Sequence, residues 1–268
     1  MWPIFIINLD RAQDRMSATQ ALMDRCGLPF IRVAAHDWQT LTDADARRFV
    51  ANPPPRFSKR ALALSEIACF LSHIDVWAQI GEGNSPAAFV FEDDVEFDGS
   101  LNKLLSEISS REPDWDILKL YSNKVKTLGD AVTLPNGYSY GTPRIIPMST
   151  AAYAITRPAA RELARASVPF GRPVDLFMKH WWEHGSCVKL VQPSPVSRRA
   201  DHLSSSEIEA GRGQSCHQSF LTRFVRNSLY QLQFRHRTHV NAAHRPPSRR
   251  WLETSGHARM VGDELDAI

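Results

Sequence analysis

Nowhere in the 268 residues does an apolar run reach the roughly 18–20 residues that a spanning helix needs, which excludes an integral membrane protein of helical type. Cysteine is sparse: Cys26, Cys69, Cys187 and Cys216 are widely spaced and form no CxxC pair. That spacing argues against a zinc knuckle and for reduced thiols in a cytoplasmic protein. The opening residues, MWPIFIINLDR, lack a basic n-region and a small-residue cleavage site, so no secretory signal is expected. No internal repeat is visible. With 43% hydrophobic and 23% charged residues, the composition excludes global disorder. The length fits one large domain, or one domain with appendages.

The small net charge of +3 hides an uneven distribution. Residues 1–197 sum to −1, residues 198–250 to +7 with five histidines, and the last 18 residues to −3. A nearly neutral body followed by a basic segment suggests a catalytic or binding domain with an anion-facing appendage. A solvated basic surface is the plainer alternative.

PIFIINL at residues 3–9 is a continuous apolar run of strand length, as in a buried parallel strand. A helical pattern follows to Cys26 with Gly27 as its stop, then a strand at Phe30–Ala34. This β–α–β opening predicts an α/β fold, a sheet with helices on its faces. NPPPRFSKR at 52–60 reads as a basic loop. Apolar spacing predicts a helix over Ser65–Ile80 with Ser65 as its cap. Further elements are predicted at 86–90 (strand), 101–109 (helix), 116–121 (strand), 151–155 (strand), 157–166 (helix), 173–182 (helix) and 187–192 (strand), with a loop or hairpin across Gly129–Pro147. From about residue 241 the chain reads as poorly ordered.

The strand leading to Phe91 breaks directly into Glu92, Asp93 and Asp94. Ligands of open α/β sheets sit at the carboxyl ends of strands. Converging carboxylates repel, and a divalent cation offsets that repulsion; hard oxygen ligands suit Mg²⁺ or Mn²⁺, which hold phosphate oxygens in turn. In an extended segment Glu92 and Asp94 face one side and can share the ion while Asp93 points elsewhere. A solvated acidic turn is the alternative. Glu66 and His73 lie two turns apart on roughly one face of the predicted helix. Ser149 and Thr150 offer hydroxyls ahead of a buried strand. Asp175 opens an apolar helix, either as its cap or as a carboxylate aimed into the cleft.

Five segments in order, FIINLDRAQDR, LSEIACFLSHIDVW, FVFEDDVEFD, STAAYAITRPAARELA and PVDLFM, resemble glycosyltransferase family 25, the bacterial lipopolysaccharide and lipooligosaccharide galactosyltransferase-like proteins. The resemblance spans roughly residues 3–197. It implies a GT-A-like nucleotide-sugar fold with a mixed, mostly parallel sheet, a divalent metal (Mn²⁺ or Mg²⁺), and transfer of a hexose, often galactose from UDP-galactose. It matches EDD to the family's DxD-like motif, which places Glu92 and Asp94 on the metal. It puts Asn8, Asp10, Arg11 and Arg15 near the nucleotide and matches Glu66 and His73 to the family's helix signature; Asp93, His73, Ser149 and Thr150 are expected at the donor as well. It matches Asp175 to the second acidic site, expected to be the general base, with Glu66 as runner-up. Direct displacement would invert the anomeric centre. Ala68 stands where the family usually has Gly. The motif usual after the last strand is not recognisable in SRRADHLSSSEI, which leaves His202 without an assigned role.

The expected organisation is a catalytic domain over 1–205, a basic helical extension over 206–240 and a flexible tail over 241–268. Between Phe220 and Arg235, Leu221, Phe224, Val225, Leu229 and Leu232 recur at helical spacing. That helix either lies on an anionic inner leaflet, where lipid-linked glycan acceptors reside, or packs on the domain with its arginines outward. Nucleic acid is not an expected partner, since the basic residues form no binding motif. A non-catalytic nucleotide- or carbohydrate-binding protein on the same scaffold is the competing reading. A metal-dependent nucleotidyltransferase would share the acidic cluster but not the other four segments.

Overall fold

Apolar residues fill Ile4–Ile7 and Ala87–Phe91, all but the last residue of Ile4–Asn8 (β1) and of Ala87–Glu92 (β3), and the two strands lie side by side in the sheet interior, in parallel register from Ile4 opposite Phe89. The computed structural model describes residues 1–55, 61–199 and 220–249. Ile31–Ala34 (β2) forms the exposed edge beside β1. Beyond β3 come Ala152–Thr156 (β8), Ile117–Lys119 (β5), Val188–Gln192 (β9), Ser139–Pro143 (β7) and Leu128–Thr133 (β6), giving the order β2-β1-β3-β8-β5-β9-β7-β6. Only β8 and β7 run against the other six strands, so the sheet is mixed and mostly parallel, as expected. The Gly129–Pro147 stretch is a hairpin, but its β7 strand pairs with β9 and buries Tyr140 in the core.

Strand alternation splits the core in two. Phe5, Ile7, Ala88 and Val90 face Leu64–Glu82 (α3) and Arg157–Ala166 (α5). Ile4, Ile6, Phe89 and Phe91 face Gln13–Arg25 (α1) and Ser100–Ser110 (α4). Asp43–Phe49 (α2) is a helix that the sequence reading does not single out. The helix expected over 173–182 breaks into Val174–Lys179 (α6) and Trp181–His184 (α7) at His180, whose backbone leaves the helical region.

Ser65 does not cap α3. The helix starts one residue earlier, with Ala63 at the cap position, and the buried Ser65 hydroxyl has no hydrogen-bond partner. Glu66 takes over the capping instead, since its Oε2 accepts from the Ala63 N–H at 3.1 Å.

The acidic segment crosses a turn into a two-residue strand, Val95–Glu96 (β4), which pairs antiparallel with Ser197–Arg198 (β10) in a small second sheet. Phe220–Ala242 (α8) docks through Tyr230 and Phe234 on Leu176 and Trp182. Of the stripe expected from spacing, Leu229 and Leu232 are described, and both are exposed. Residues 245–249, expected within a flexible tail, are bonded to the body. Arg249 donates to the fully buried Asp116, and Arg245 donates to the Pro143 carbonyl. No described helix is long and apolar enough to cross a membrane.

Candidate functional site

β1 and β3 end side by side, and their last residues, Asn8 and Glu92, open a cavity at that edge of the sheet. Asn8, Arg15, His73, Glu92, Asp93 and Asp94 all line it. Asp93 turns towards β1 and α1, accepting from Asn8 Nδ2 at 2.6 Å with Arg15 Nε 3.4 Å away. Asn8 is held in turn by Arg32, which donates to its Oδ1 at 3.0 Å. Glu92 and Asp94 face the opposite way and meet one guanidinium. Arg198 donates to Glu92 Oε2 at 2.6 Å and stands 3.5 Å from Asp94 Oδ2. The Thr150 hydroxyl donates to the other Glu92 oxygen at 2.5 Å.

Behind Glu92 lies a buried polar chain. Trp77 Nε1 donates to the Tyr153 hydroxyl at 2.9 Å, and that hydroxyl lies 2.9 Å from His73 Nδ1. Indole can only donate, so the Tyr153 oxygen accepts there. The other ring nitrogen of His73, Nε2, lies 3.9 Å from Glu92 Oε1. Burial holds the His73 pKa down to about 4, so the ring is neutral at neutral pH. Lys119, buried at the end of β5, donates to the Pro147 and Ser149 carbonyls and fixes the loop that carries Thr150. Its pKa falls to about 8, chiefly through burial.

Asp94 is the least satisfied acid of the group. Its Oδ1 is buried without a hydrogen-bond partner. Burial first, and the Glu92 charge second, raise its pKa to about 6. A buried carboxylate oxygen with nothing to accept is chemically suited to a hard cation. Glu92, by contrast, has both oxygens engaged. Among the described residues no three His, Cys, Asp or Glu side chains gather closely enough to hold a metal by themselves, so a cation at Asp94 would need oxygens from a ligand or water.

The other expected site residues stand apart from the cavity lining. Asp10 is paired with Arg32 at 2.5 Å and Arg11 with Asp37 at 2.6 Å. Ser149 accepts from the Ala151 N–H at 3.2 Å. Glu66 lies buried in the first turn of α3, engaged with Ala63. Asp175 accepts from the Leu176 N–H at 2.7 Å, and burial raises its pKa. Its charge reaches Glu92, and also Cys69 on the cavity wall. His202 lies outside the described residues.

Sequence reasoning missed Arg198, Lys119, Tyr153 and Trp77, and also Trp38 and His36, which line the cavity beyond β2. The one available signal was the onset of the basic segment at residue 198.

Residues 1–178 match the family model "Glycosyltransferase family 25 (LPS biosynthesis protein)". Procollagen galactosyltransferase 2 of Mus musculus is 29% identical over 224 residues, 77% of this chain and 33% of that protein. Procollagen galactosyltransferase 1-B of Xenopus laevis is 26% identical over 224 residues, covering 77% and 34%. A Bos taurus protein named probable inactive glycosyltransferase 25 family member 3 is 31% identical over 191 residues, covering 65% and 31%. The chain spans about a third of the length of these curated relatives. With the matched region holding the acidic turn, α3 and all of the cavity lining but Arg198, the chain belongs to glycosyltransferase family 25.

Proposed function

We propose that this chain is a glycosyltransferase that moves a hexose, galactose from UDP-galactose foremost, onto a saccharide or lipid-linked glycan acceptor. The observation that carries this reading is the buried, unpartnered Asp94 oxygen beside Glu92, Asp93 and Arg15 at the strand ends. Relatives named procollagen galactosyltransferases support galactose as the sugar. The family description supports a lipopolysaccharide-type acceptor, whereas the relatives' names point to collagen. The acceptor is therefore stated only as a glycan.

On this reading Asp94 would hold Mn²⁺ or Mg²⁺, which when bound would supply Lewis-acid stabilisation to the leaving diphosphate. Asn8 fixes the Asp93 carboxylate, and Asp93 steers Arg15 towards the same anion. Asp175 is the candidate base for the acceptor proton on its raised carboxyl pKa alone, since it does not line the cavity. Attack opposite the leaving group inverts the anomeric carbon. Asp94→Ala should lower metal-dependent release of UDP from UDP-galactose at least 100-fold while leaving the thermal unfolding curve in place. Turnover within twofold of the parent would remove Asp94 from the metal. Screening UDP-, GDP- and CMP-sugars with Mn²⁺ identifies the donor.

The relatives named inactive favour a second reading, a nucleotide- or sugar-binding protein without turnover. Binding of UDP-galactose without hydrolysis or transfer, whatever acceptor is supplied, would establish it. The exposed Leu229, Leu232 and Val240 of α8, with Arg235 beside them, are the surface for a peripheral contact with an anionic inner leaflet on the cytoplasmic side. Sedimentation with phosphatidylglycerol vesicles but not phosphatidylcholine vesicles tests that contact.

A further inference from the structure

Arg198 arrives at the acidic turn from 104 to 106 residues downstream of its partners, and the fold spends a dedicated element on delivering it. β10 pairs with β4, setting Arg198 opposite Val95, and the next residue's N–H donates to the Asp94 carbonyl at 2.9 Å. The backbone around the guanidinium is thus tied to the segment it neutralises. The side chain is largely covered, reaches Glu92 at 2.6 Å and Asp94 at 3.5 Å, and lines the same cavity. Its fit is unequal: tight on Glu92, loose on Asp94, with its own Nε buried and without a partner. One positive charge therefore bridges two carboxylates that face the same side and would otherwise repel.

A second cation bound at the unpartnered Asp94 Oδ1 would sit on the same carboxylate whose Oδ2 lies 3.5 Å from that charge. Two positive charges cannot both sit close to Asp94 in a largely covered site without one giving way. The looser contact is the one free to open. We propose that Arg198 is an internal counter-cation for Glu92 and Asp94, which a divalent ion must displace from Asp94, so that Arg198 sets how tightly the chain binds that ion. This rests on the reading of Asp94 as the cation's ligand. The displaced guanidinium stays anchored on Glu92 and gains a new anionic partner when a nucleotide diphosphate enters. Cation and nucleotide then favour each other's binding, and the coupling is reciprocal.

Binding of Mn²⁺ alone to the purified full chain, followed by the electron paramagnetic resonance signal of the free ion, tests the proposal without any turnover. Arg198→Gln should bind Mn²⁺ at least tenfold more tightly than the parent. Arg198→Lys keeps the charge but lacks the planar fork that spans both carboxylates, so it should fall between the two. Asp94→Asn should weaken binding at least tenfold. Equal or weaker binding by Arg198→Gln, with Asp94→Asn still weakening it, overturns the role of Arg198 and leaves the Asp94 site standing. Binding indifferent to Asp94→Asn, or absent from every protein, overturns both. Should Arg198→Gln fail to fold, Arg198→Lys decides alone: tighter binding than the parent supports displacement, and equal or weaker binding overturns it.

Discussion

Trp77, Tyr153 and His73 come from α3 and β8, and their side chains share a single hydroxyl. Removing that hydroxyl leaves a buried indole N–H and a buried imidazole nitrogen unpaired at once. Tyr153→Phe should cost about 1–3 kcal/mol, read as a lower urea midpoint with an unchanged slope. An unchanged midpoint would mean that the bridge contributes nothing. At this scale the sequence spoke unevenly. Three adjacent acids after an apolar strand were legible, and so was the opposite facing of Asp93 from Glu92 and Asp94, although Asp93 and Asp94 sit in a turn and not in the extended backbone from which that facing was expected. His73 was legible as a helix-face residue, but its partner Tyr153 lies 80 positions away and no local pattern announces it. Arg198 was hidden for the same reason: its meaning depends on β10 lying beside β4.

α3 is the element on which most of the candidate site leans, and it lies directly against α5. The two helices approach closely at Gly81, where an added Cβ would sit 2.9 Å from the Arg161 Cα. Arg161 also donates to the Gly81 carbonyl at 2.8 Å, which fixes the two helices at that spacing. Gly81→Ala should therefore destabilise by about 1–3 kcal/mol. At Gly83 a new Cβ meets nothing nearer than 3.4 Å, so Gly83→Ala should stay within about 0.5 kcal/mol. Paired denaturation curves read both, and an equal effect would place the close contact elsewhere. Element positions followed from the sequence where periodicity was strong, as in β1, β3, α3 and α5. The α3 cap did not, because Ser65 is a good capping residue locally while the chain instead begins the helix at Leu64 and uses Glu66. The docking of α8 through Tyr230 and Phe234 was hidden as well, because it depends on His180, 50 positions upstream of Tyr230, and on Trp182.

At the scale of the whole molecule, the described C-terminal residues are tied to the body through Arg245 and Arg249, and only the second of these meets a buried charge. Asp116 is fully buried and takes the Arg249 N–H at 2.7 Å and its guanidinium at 3.2 Å. Burial raises the Asp116 pKa, and Arg249 opposes that rise. Arg249→Met would leave the carboxylate buried without its cation, at a cost of about 3 kcal/mol near pH 7.5. With the cation gone, the folded-state pKa climbs further above the unfolded value. The folded variant then holds the proton more readily than the unfolded chain, and its stability falls as pH rises through that window. The penalty should accordingly be smaller at pH 5 than at pH 7.5 in urea titrations. The opposite trend would show that Asp116 does not drive the loss. Sheet composition was legible from the run of apolar segments, whereas the reversed direction of β8 and β7 and the return of the chain after α8 were not, because both depend on contacts between distant residues. The most direct test of the chain as a cation-assisted glycosyltransferase is anomalous scattering at the manganese edge from crystals grown with Mn²⁺ and UDP-galactose. The expected result is a peak about 2.1 Å from an Asp94 carboxylate oxygen and touching the diphosphate. A bound nucleotide sugar with its manganese elsewhere, or with Asp94 turned away from it, contradicts that reading.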